Sequence, residues 1–415
     1  MLAERTHRAF SCRGTKLSLS PTTIRPACRR ARPFARASLA EAAKTTPTMD
    51  KAVVLDRIRG ALWGIFIADA LSMPVHWYYN PGDIRRDFGV IETYQAPKAR
   101  HPSSIMSVSN TGGHGRGGQS GRIIGDVINH GKHDFWGKSG VHYHQGMKAG
   151  ENTLNAICAR LVLRNLAKEK SYNATSWLQD YVSFMTTPGS HNDTYAESFH
   201  RDFFRNWAAG VPPERCSKGT EGHNTAQIGG FVMLPPVILS RLDGPAAASQ
   251  RALQHLSTTH DSRKLSGYAQ KYAELVYGLA AGGDLRSVTS AFAAGMGIDL
   301  AQLVPYDDVR IVHSTFGSAC YIEDSFPSML YLAYKYADSF EKAVLANTNV
   351  GGENCHRGAA LGAVMGAGLG ESRIPPRLIS GLADSAAIRA EIDAFVSQLH
   401  PDLLMPDTCQ AAAQP

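Results

Sequence analysis

The run at positions 349–370, NVGGENCHRGAALGAVMGAGLG, places Gly358, Gly362, Gly366 and Gly370 at strict four-residue spacing. On an α-helix that interval stacks the four on one face, where a second helix can come into backbone contact. A glycine weakens an exposed helix by roughly 1 kcal/mol against alanine, so four in register predict a buried helix whose neighbour needs the missing side chains. Gly351-Gly352 predicts a turn just ahead of it, and Glu353, Asn354, Cys355, His356 and Arg357 then form an unbroken polar run. A carboxylate, a thiol and an imidazole thus stand beside the unpaired backbone N–H groups of a helix start. This is the strongest candidate for chemistry in the chain.

Other stretches repeat the helical period. Leu55, Ile58, Leu62 and Ile65 predict a helix over 50–73, closed by Pro74, with Asp69 as a polar residue inside an apolar run. Leu154, Ile157, Leu161 and Leu163 predict a helix that starts at Gly150 or Glu151 and runs to 169. Its entrance is polar too, with His142, His144, Gln145, Glu151, Asn152, Thr153 and Asn155, and Gly-Glu-Asn occurs at 150–152 and again at 352–354. Each reads as a cap with a carboxylate in the first turn. Further helices are predicted over 191–207, 226–241, 251–259, 263–281, 285–294, 322–336, 339–347 and 385–399. No alternating strand series appears, so the class is all-α. Residues 80–149 lack a period. Within them GGHGRGGQSG, 112–121, contains G-x-G-x-x-G at Gly113, Gly115 and Gly118, but follows no strand pattern and carries no phosphate-loop Lys-Ser/Thr, so it reads as a loop near a site.

The chain has 415 residues, 43% of them hydrophobic, enough for one large core, and no apolar run reads as long enough to cross a bilayer. A net charge of +7 invites a nucleic-acid role until its distribution is read. Residues 1–40 hold eight Arg and Lys16 against Glu4, a net of +8, which leaves the remainder at −1. A near-neutral body removes the electrostatic case for nucleic acid. The basic, acid-poor first segment resembles an organelle transit peptide. The expected organisation is a disordered leader over 1–48, one helical domain over 49–400 and a disordered tail over 401–415. ARPFARAS points to a chloroplast; the alternatives are a mitochondrion, or the cytoplasm with translation from Met49. Cys158, Cys216, Cys320 and Cys355 are scattered, with no C-x-x-C pair, which excludes a disulfide framework and a zinc finger and fits a reducing compartment.

The order of these motifs resembles the ADP-ribosylglycohydrolase superfamily, which includes the dinitrogenase-reductase-activating glycohydrolases and the J-type crystallins. R-I-x-G-A-L-x-G followed by A-D-A-L-S-M-P-V-H is similar to the family's opening. Gly150-Glu151-Asn152-Thr153 stands where the family has T-D-D-T. GGFVMLPP near Gly230 is similar to G-A-A-M-R-x-x-P, Thr258-Thr259-His260 to a T-H before a helix, and Gly351 to His356 to G-G-D-x-D-T. The resemblance implies a single large orthogonal helical bundle that cleaves the glycosidic bond between ADP-ribose and a protein or metabolite, with a binuclear magnesium site. Here His76 stands at the metal glutamate, and two of the aspartates become Glu151 and Glu353. Magnesium prefers hard oxygen ligands, so this set favours a zinc-like ion or none.

Three chemistries follow. His76, Glu151, Glu353 and His356, with Cys355 as a further candidate, bind one metal that activates water. Alternatively Glu151 and Glu353 are paired carboxylates for acid and base work. Or Cys355 is a thiolate nucleophile lowered by the helix start, with His76 or His260 as base. Catalytic candidates are therefore Glu151, Glu353 and Cys355. Substrate contacts are expected from Asp69, Asn152, Thr153, Asn155, His260, Asn354 and Arg357, the last facing a phosphate or Glu353. The expected partner is a small-molecule or ADP-ribosylated protein substrate, with no nucleic acid and no membrane. The competing class is a catalytically inactive crystallin-like or ADP-ribose-binding protein.

Overall fold

The glycine ladder forms one half of the central helix pair. The computed structural model describes residues 50–104, 123–219 and 226–405. In chain order the helices are α1 (Lys51–Ser72), α2 (Pro81–Phe88), α3 (Leu154–Glu169), α4 (Ala174–Thr186), α5 (Ser198–Ala208), α6 (Leu234–Ile238), α7 (Pro245–Leu256), α8 (Arg263–Ala280), α9 (Leu285–Ala294), α10 (Ile322–Lys335), α11 (Phe340–Val350), α12 (Asn354–Leu369), α13 (Pro376–Ser380), α14 (Ser385–Leu399) and α15 (Pro401–Leu404). Among the described residues there are isolated bridges but no strand, so the fold is all-α. The described residues belong to one compact unit that begins at Met49.

α12 lies against α1 along its length. A Cβ on Gly362 would overlap the Gly64 carbonyl, and one on Gly366 the Gly60 carbonyl. The two backbones therefore touch where four glycines face one another, and any side chain there would push the helices apart. Gly358 meets Asn347 and Ala68, while Gly370 caps the helix at φ 90° against Asp56. α8, α10 and α11 pack around the outside of α12, and α14 packs on α3.

Helix α1, with the turn after it to Val75, is long and apolar enough to span a membrane, contrary to the sequence reading. Yet 94% of its most apolar window is buried inside the protein, which makes it a core helix. Asp69 is held within it by internal hydrogen bonds (below).

The predicted helices over 263–281, 285–294, 322–336 and 385–399 appear within a residue of their bounds. The remaining differences are instructive. α3 starts at Leu154, with Thr153 as its cap, because Gly150 takes φ 81° and Glu151 lies outside the helix. α5 starts at Ser198; residues 191–197 are irregular and carry Asp193 and Glu197 into the interior. α7 starts at Pro245, ahead of the expected position 251. α4 was not anticipated, although Asn173 caps Thr175 and Ser176, and Trp177, Tyr181 and Met185 form its buried stripe. The glycine loop at 112–121, the leader at 1–48 and positions 406–415 of the tail lie outside the described residues; Pro401–Leu404 of the tail is helical.

Candidate active site

Two consecutive left-handed glycines aim the polar run. Gly351 and Gly352 take φ 72° and 68°, and a Cβ there would strike the Tyr78 and Ser318 carbonyls. The turn delivers Glu353 as the N-cap of α12, where its carboxylate accepts from the His356 backbone N–H at 3.3 Å. At the other end of the site, Pro74 ends the first helical run and Trp77 adopts φ 61°, which turns His76 inward to stack on the Trp77 indole at 3.9 Å.

These two turns bring a buried chain of polar groups together. His144 Nδ1 lies 2.8 Å from Asp193 Oδ1, and His144 Nε2 lies 2.7 Å from His76 Nδ1. His76 Nε2 faces Glu353 Oε1 at 2.9 Å. The three contacts need three protons, one of them on His76 Nε2, which donates to the Glu353 carboxylate. Glu353 Oε1 also lies 2.9 Å from His356 Nδ1, an ion pair off the hydrogen-bond axis, and Glu197 Oε1 approaches the same nitrogen at 3.5 Å. Glu197 Oε2 accepts from Asn155 Nδ2 at 2.5 Å, Asn155 Oδ1 contacts His200 Nε2 at 2.9 Å, and His200 Nδ1 contacts the Tyr181 hydroxyl at 2.5 Å. His76, His144, Asp193, Glu197, Glu353 and His356 are all buried.

The two carboxylates that share His356 are pushed to opposite states. Burial opposes the charge on Glu353, but His356 and His76 outweigh it and hold the carboxyl well below the usual range. Burial dominates at Glu197 and raises it, with Glu353 adding to the rise and His356 opposing. His356 is depressed by burial, yet Glu197 and Glu353 together lift it to about 10. At neutral pH Glu353 is thus ionised and His356 an imidazolium, while Glu197 binds its proton more tightly than an ordinary carboxyl. One oxygen of each carboxyl, Glu353 Oε2 and Glu197 Oε1, has no hydrogen-bond partner among the described residues. Tyr79 is 43% exposed as a residue, yet burial of its phenol raises its pKa, with Cys320 and Glu353 adding to the rise.

The other predicted residues fall into three groups. Thr153 and Asn152 bind Asp69: Thr153 Oγ1 donates at 2.6 Å, its backbone N–H at 2.8 Å and Asn152 Nδ2 at 3.0 Å, which locks the start of α3 to α1. Asn155 joins the central chain as described. Asn354 and Arg357 hold the turn ahead of α12, although Asn354 Oδ1 and Arg357 Nη1 have no hydrogen-bond partner among the described residues. Asn354 Nδ2 donates to Thr348 O at 3.0 Å, and Arg357 reaches Asn347 Oδ1 and Gly351 O at 2.8 Å each, not Glu353, with no exposure to reach a phosphate. His260 lies tilted against Phe199, with ring centroids 4.2 Å apart, and bonds Thr259.

Glu151 does not join Glu353. Its carboxylate accepts from Lys148 N at 2.8 Å and Asn192 Nδ2 at 3.0 Å, on the wall of a separate cavity of about 320 Å³ that it shares with Arg160, Arg164 and His191. Its distance from the cluster follows from the late start of α3, which leaves Glu151 on the outer side of the turn. Cys355 is fully buried against Met73 and Met147, and burial pushes its thiol well above the ordinary value, which weighs against the thiolate expected from the helix start. Sequence reasoning missed Glu197 and Asp193, because they lie in a segment that reads as helix. The cue was Glu197 directly ahead of Ser198 and the apolar stripe of α5, a cap position with a carboxylate.

This arrangement sits inside a sequence that a known family describes. The ADP-ribosylglycohydrolase profile matches residues 50–408. The chain belongs to the ADP-ribosylglycohydrolase family. A solved ADP-ribosylglycohydrolase-related protein complex shares the fold, with a TM-score of 0.54 and 18% identity over 84% of this chain and 99% of its own. No curated protein matches the chain by sequence. Within this ADP-ribosylglycohydrolase-family chain, a magnesium pair does not fit the residues present. Two groups of ligand atoms converge within 4.8 Å, His76 with His144 and Cys355, and His76 with Glu353 and His356. They offer imidazoles, a thiol and a single carboxylate, where magnesium needs near-octahedral oxygens. Such nitrogen- and sulfur-rich sets are those that borderline ions take.

Proposed function

We propose that this family member hydrolyses an ADP-ribosyl or related N- or O-glycosidic bond with Glu197 and Glu353 as its acid and base. The observation that carries the reading is the pair itself: two buried carboxyls on one imidazolium, shifted in opposite directions, each with an unpartnered oxygen. Environments that push two carboxyls apart assign the roles. Glu197 donates its proton to the leaving-group atom as the bond to the anomeric carbon breaks. Glu353 takes a proton from the attacking water, and His356 keeps its positive charge between them. The two oxygens lie 2.9 Å and 3.5 Å from one nitrogen, closer together than the roughly 6.5–9.5 Å at which paired carboxyls admit an attacking water, so the substrate has to part them as it enters. The chain from Asp193 through His144 to His76 holds Glu353 in place and can pass on the proton it gains. Glu353 belonged to the expected catalytic set; Glu197 takes the place expected for Glu151.

The test is release of ADP-ribose from an ADP-ribosylated peptide, with and without chelator, by the full chain and by Glu197→Gln and Glu353→Gln. Turnover lost in both variants supports the pair. Turnover that survives in either sinks it. A second reading draws on the complete burial of Glu353: a non-enzymatic, ADP-ribose-binding or crystallin-like protein, which binds ADP-ribose and releases none from any substrate. We also propose that residues 1–48 direct the protein to a chloroplast, to be checked by the location of a fluorescent fusion with and without them.

A further inference from the structure

We propose that the cavity beside Glu151 is a second binding site, separate from the Glu197–Glu353 pair, and that it takes a small organic cation: a primary ammonium on a short apolar body. The cavity holds about 320 Å³, at the small end of the range for ligand pockets. Its walls come from the turn ahead of α3, from α3, from the end of α4, and from residues 190–192 and 383–384. The frame is fixed. Gly150 takes φ 81°, a Cβ there would strike the Gly381 carbonyl, and the Ala383 backbone N–H donates to the Gly150 carbonyl at 3.0 Å. The turn that carries Glu151 is thereby tied to the segment leading into α14.

Charge decides the ligand. Arg160, Arg164, Glu151 and Asp384 line the cavity, and Glu391 bonds both arginines. Arg160 commits all three guanidinium nitrogens, Nε and Nη2 to Glu391 and Nη1 to Asp384. Arg164 gives Nη1 to Glu391, and its side chain is 42% exposed. Two cations thus face three anions, and the unmatched one is Glu151. Its Oε2 accepts from the Lys148 backbone N–H and from Asn192 Nδ2, while its Oε1 has no partner among the described residues. His191 adds a second open atom: its Nδ1 is buried without a hydrogen-bond partner among the described residues, and burial keeps the ring neutral, so Nδ1 can accept.

An ammonium carries three N–H donors and needs no pair of oxygens, so one free carboxylate oxygen and one imidazole nitrogen suit it. A guanidinium fork would need both oxygens of Glu151, and Oε2 is already taken twice. An anion would meet only the solvent-facing edge of Arg164. Met147, Ile157 and Phe184 supply the apolar lining, with the Phe184 ring 5.9 Å from that of His191, and an aromatic face beside a carboxylate favours a cation on a hydrocarbon body.

The experiment is calorimetric titration of the full chain with benzylamine, butylamine, benzyl alcohol and benzoate, in wild type, Glu151→Gln and His191→Phe. Glu151→Gln keeps an oxygen for Lys148 and Asn192 and loses the charge. The expected result is saturable binding of both amines to wild type, at least tenfold weaker in Glu151→Gln and several-fold weaker in His191→Phe. Benzyl alcohol should bind at least tenfold more weakly than benzylamine, and benzoate not at all. Under saturating benzylamine, hydrogen exchange should slow at the amides of residues 148–151 and 190–192 and stay unchanged at 353–357.

Amine affinity within threefold of wild type in Glu151→Gln overturns the proposal. So does benzoate or benzyl alcohol that binds as tightly as benzylamine, or the absence of amine binding at millimolar concentration. If His191→Phe fails to fold, Glu151→Gln and the series of probes on wild type decide without it. No arm reads turnover, so the outcome stands apart from the hydrolase reading.

Discussion

Glu353→Gln and Glu197→Gln should have unequal effects on stability, although both sites are buried and both face His356. Glu353 is ionised: it pairs with the His356 ring at 2.9 Å, contacts His76 Nε2 at 2.9 Å and caps α12. Glu353→Gln keeps the oxygen that caps the helix and removes the charge. Removal of one partner from a buried ion pair costs about 3–5 kcal/mol, since the other charge is left behind. Glu197, 3.5 Å away on the other side, can ionise in its place, which points to the lower end of that range. Glu197→Gln replaces a carboxyl whose charge burial disfavours with a neutral amide of the same shape, which retains an oxygen for Asn155. One hydrogen bond of about 1 kcal/mol is the most at stake. The gap of roughly 2 kcal/mol or more is read from urea unfolding at pH about 7, as a shift of midpoint at constant slope. Both variants should lose turnover by about 10²–10⁴-fold. Equal midpoints, or a larger loss for Glu197→Gln, would refute the assignment of charge states and with it the acid and base roles.

Other expectations are narrower. Cys355→Ser and Glu151→Ala should each keep turnover within about threefold, a change below roughly 1 kcal/mol in the barrier, because the thiol is enclosed by methionines and Glu151 faces a different cavity; a hundredfold loss in either would restore the corresponding sequence-based mechanism. Gly362→Leu should prevent folding or lower Tm by many degrees, since its side chain would occupy the Gly64 backbone, as circular dichroism would register. Acid should destabilise the protein below pH about 6.5. Burial depresses His255 and His260 to about 3 and His101 to about 4, so the unfolded chain binds protons that the folded one refuses. Their contribution is complete above the unfolded value and is lost as pH falls through the folded ones, by about 2 kcal/mol each near pH 5. A flat stability profile between pH about 7 and 5 would contradict these buried neutral imidazoles.

Much of this was legible in the residues. The four-residue glycine spacing announced a helix pair in backbone contact, and the structure supplies Gly60 and Gly64 as its counterpart. The polar run at 353–357 announced a functional helix start, and the motif order announced the family. Periodicity and caps carry such information because they depend on neighbours a few residues apart. What only the tertiary structure decided is which polar side chains meet. Glu151 and Glu197 both precede helices whose first turns enter the site, and nothing local separates them. One turns out to Asn192 and the other in to His356 because α3 begins three residues after Glu151, whereas α5 begins immediately after Glu197. The opposite shifts of Glu197 and Glu353 were equally hidden, since they arise from burial and, for Glu197, from His356 and Glu353 more than a hundred positions away in the chain.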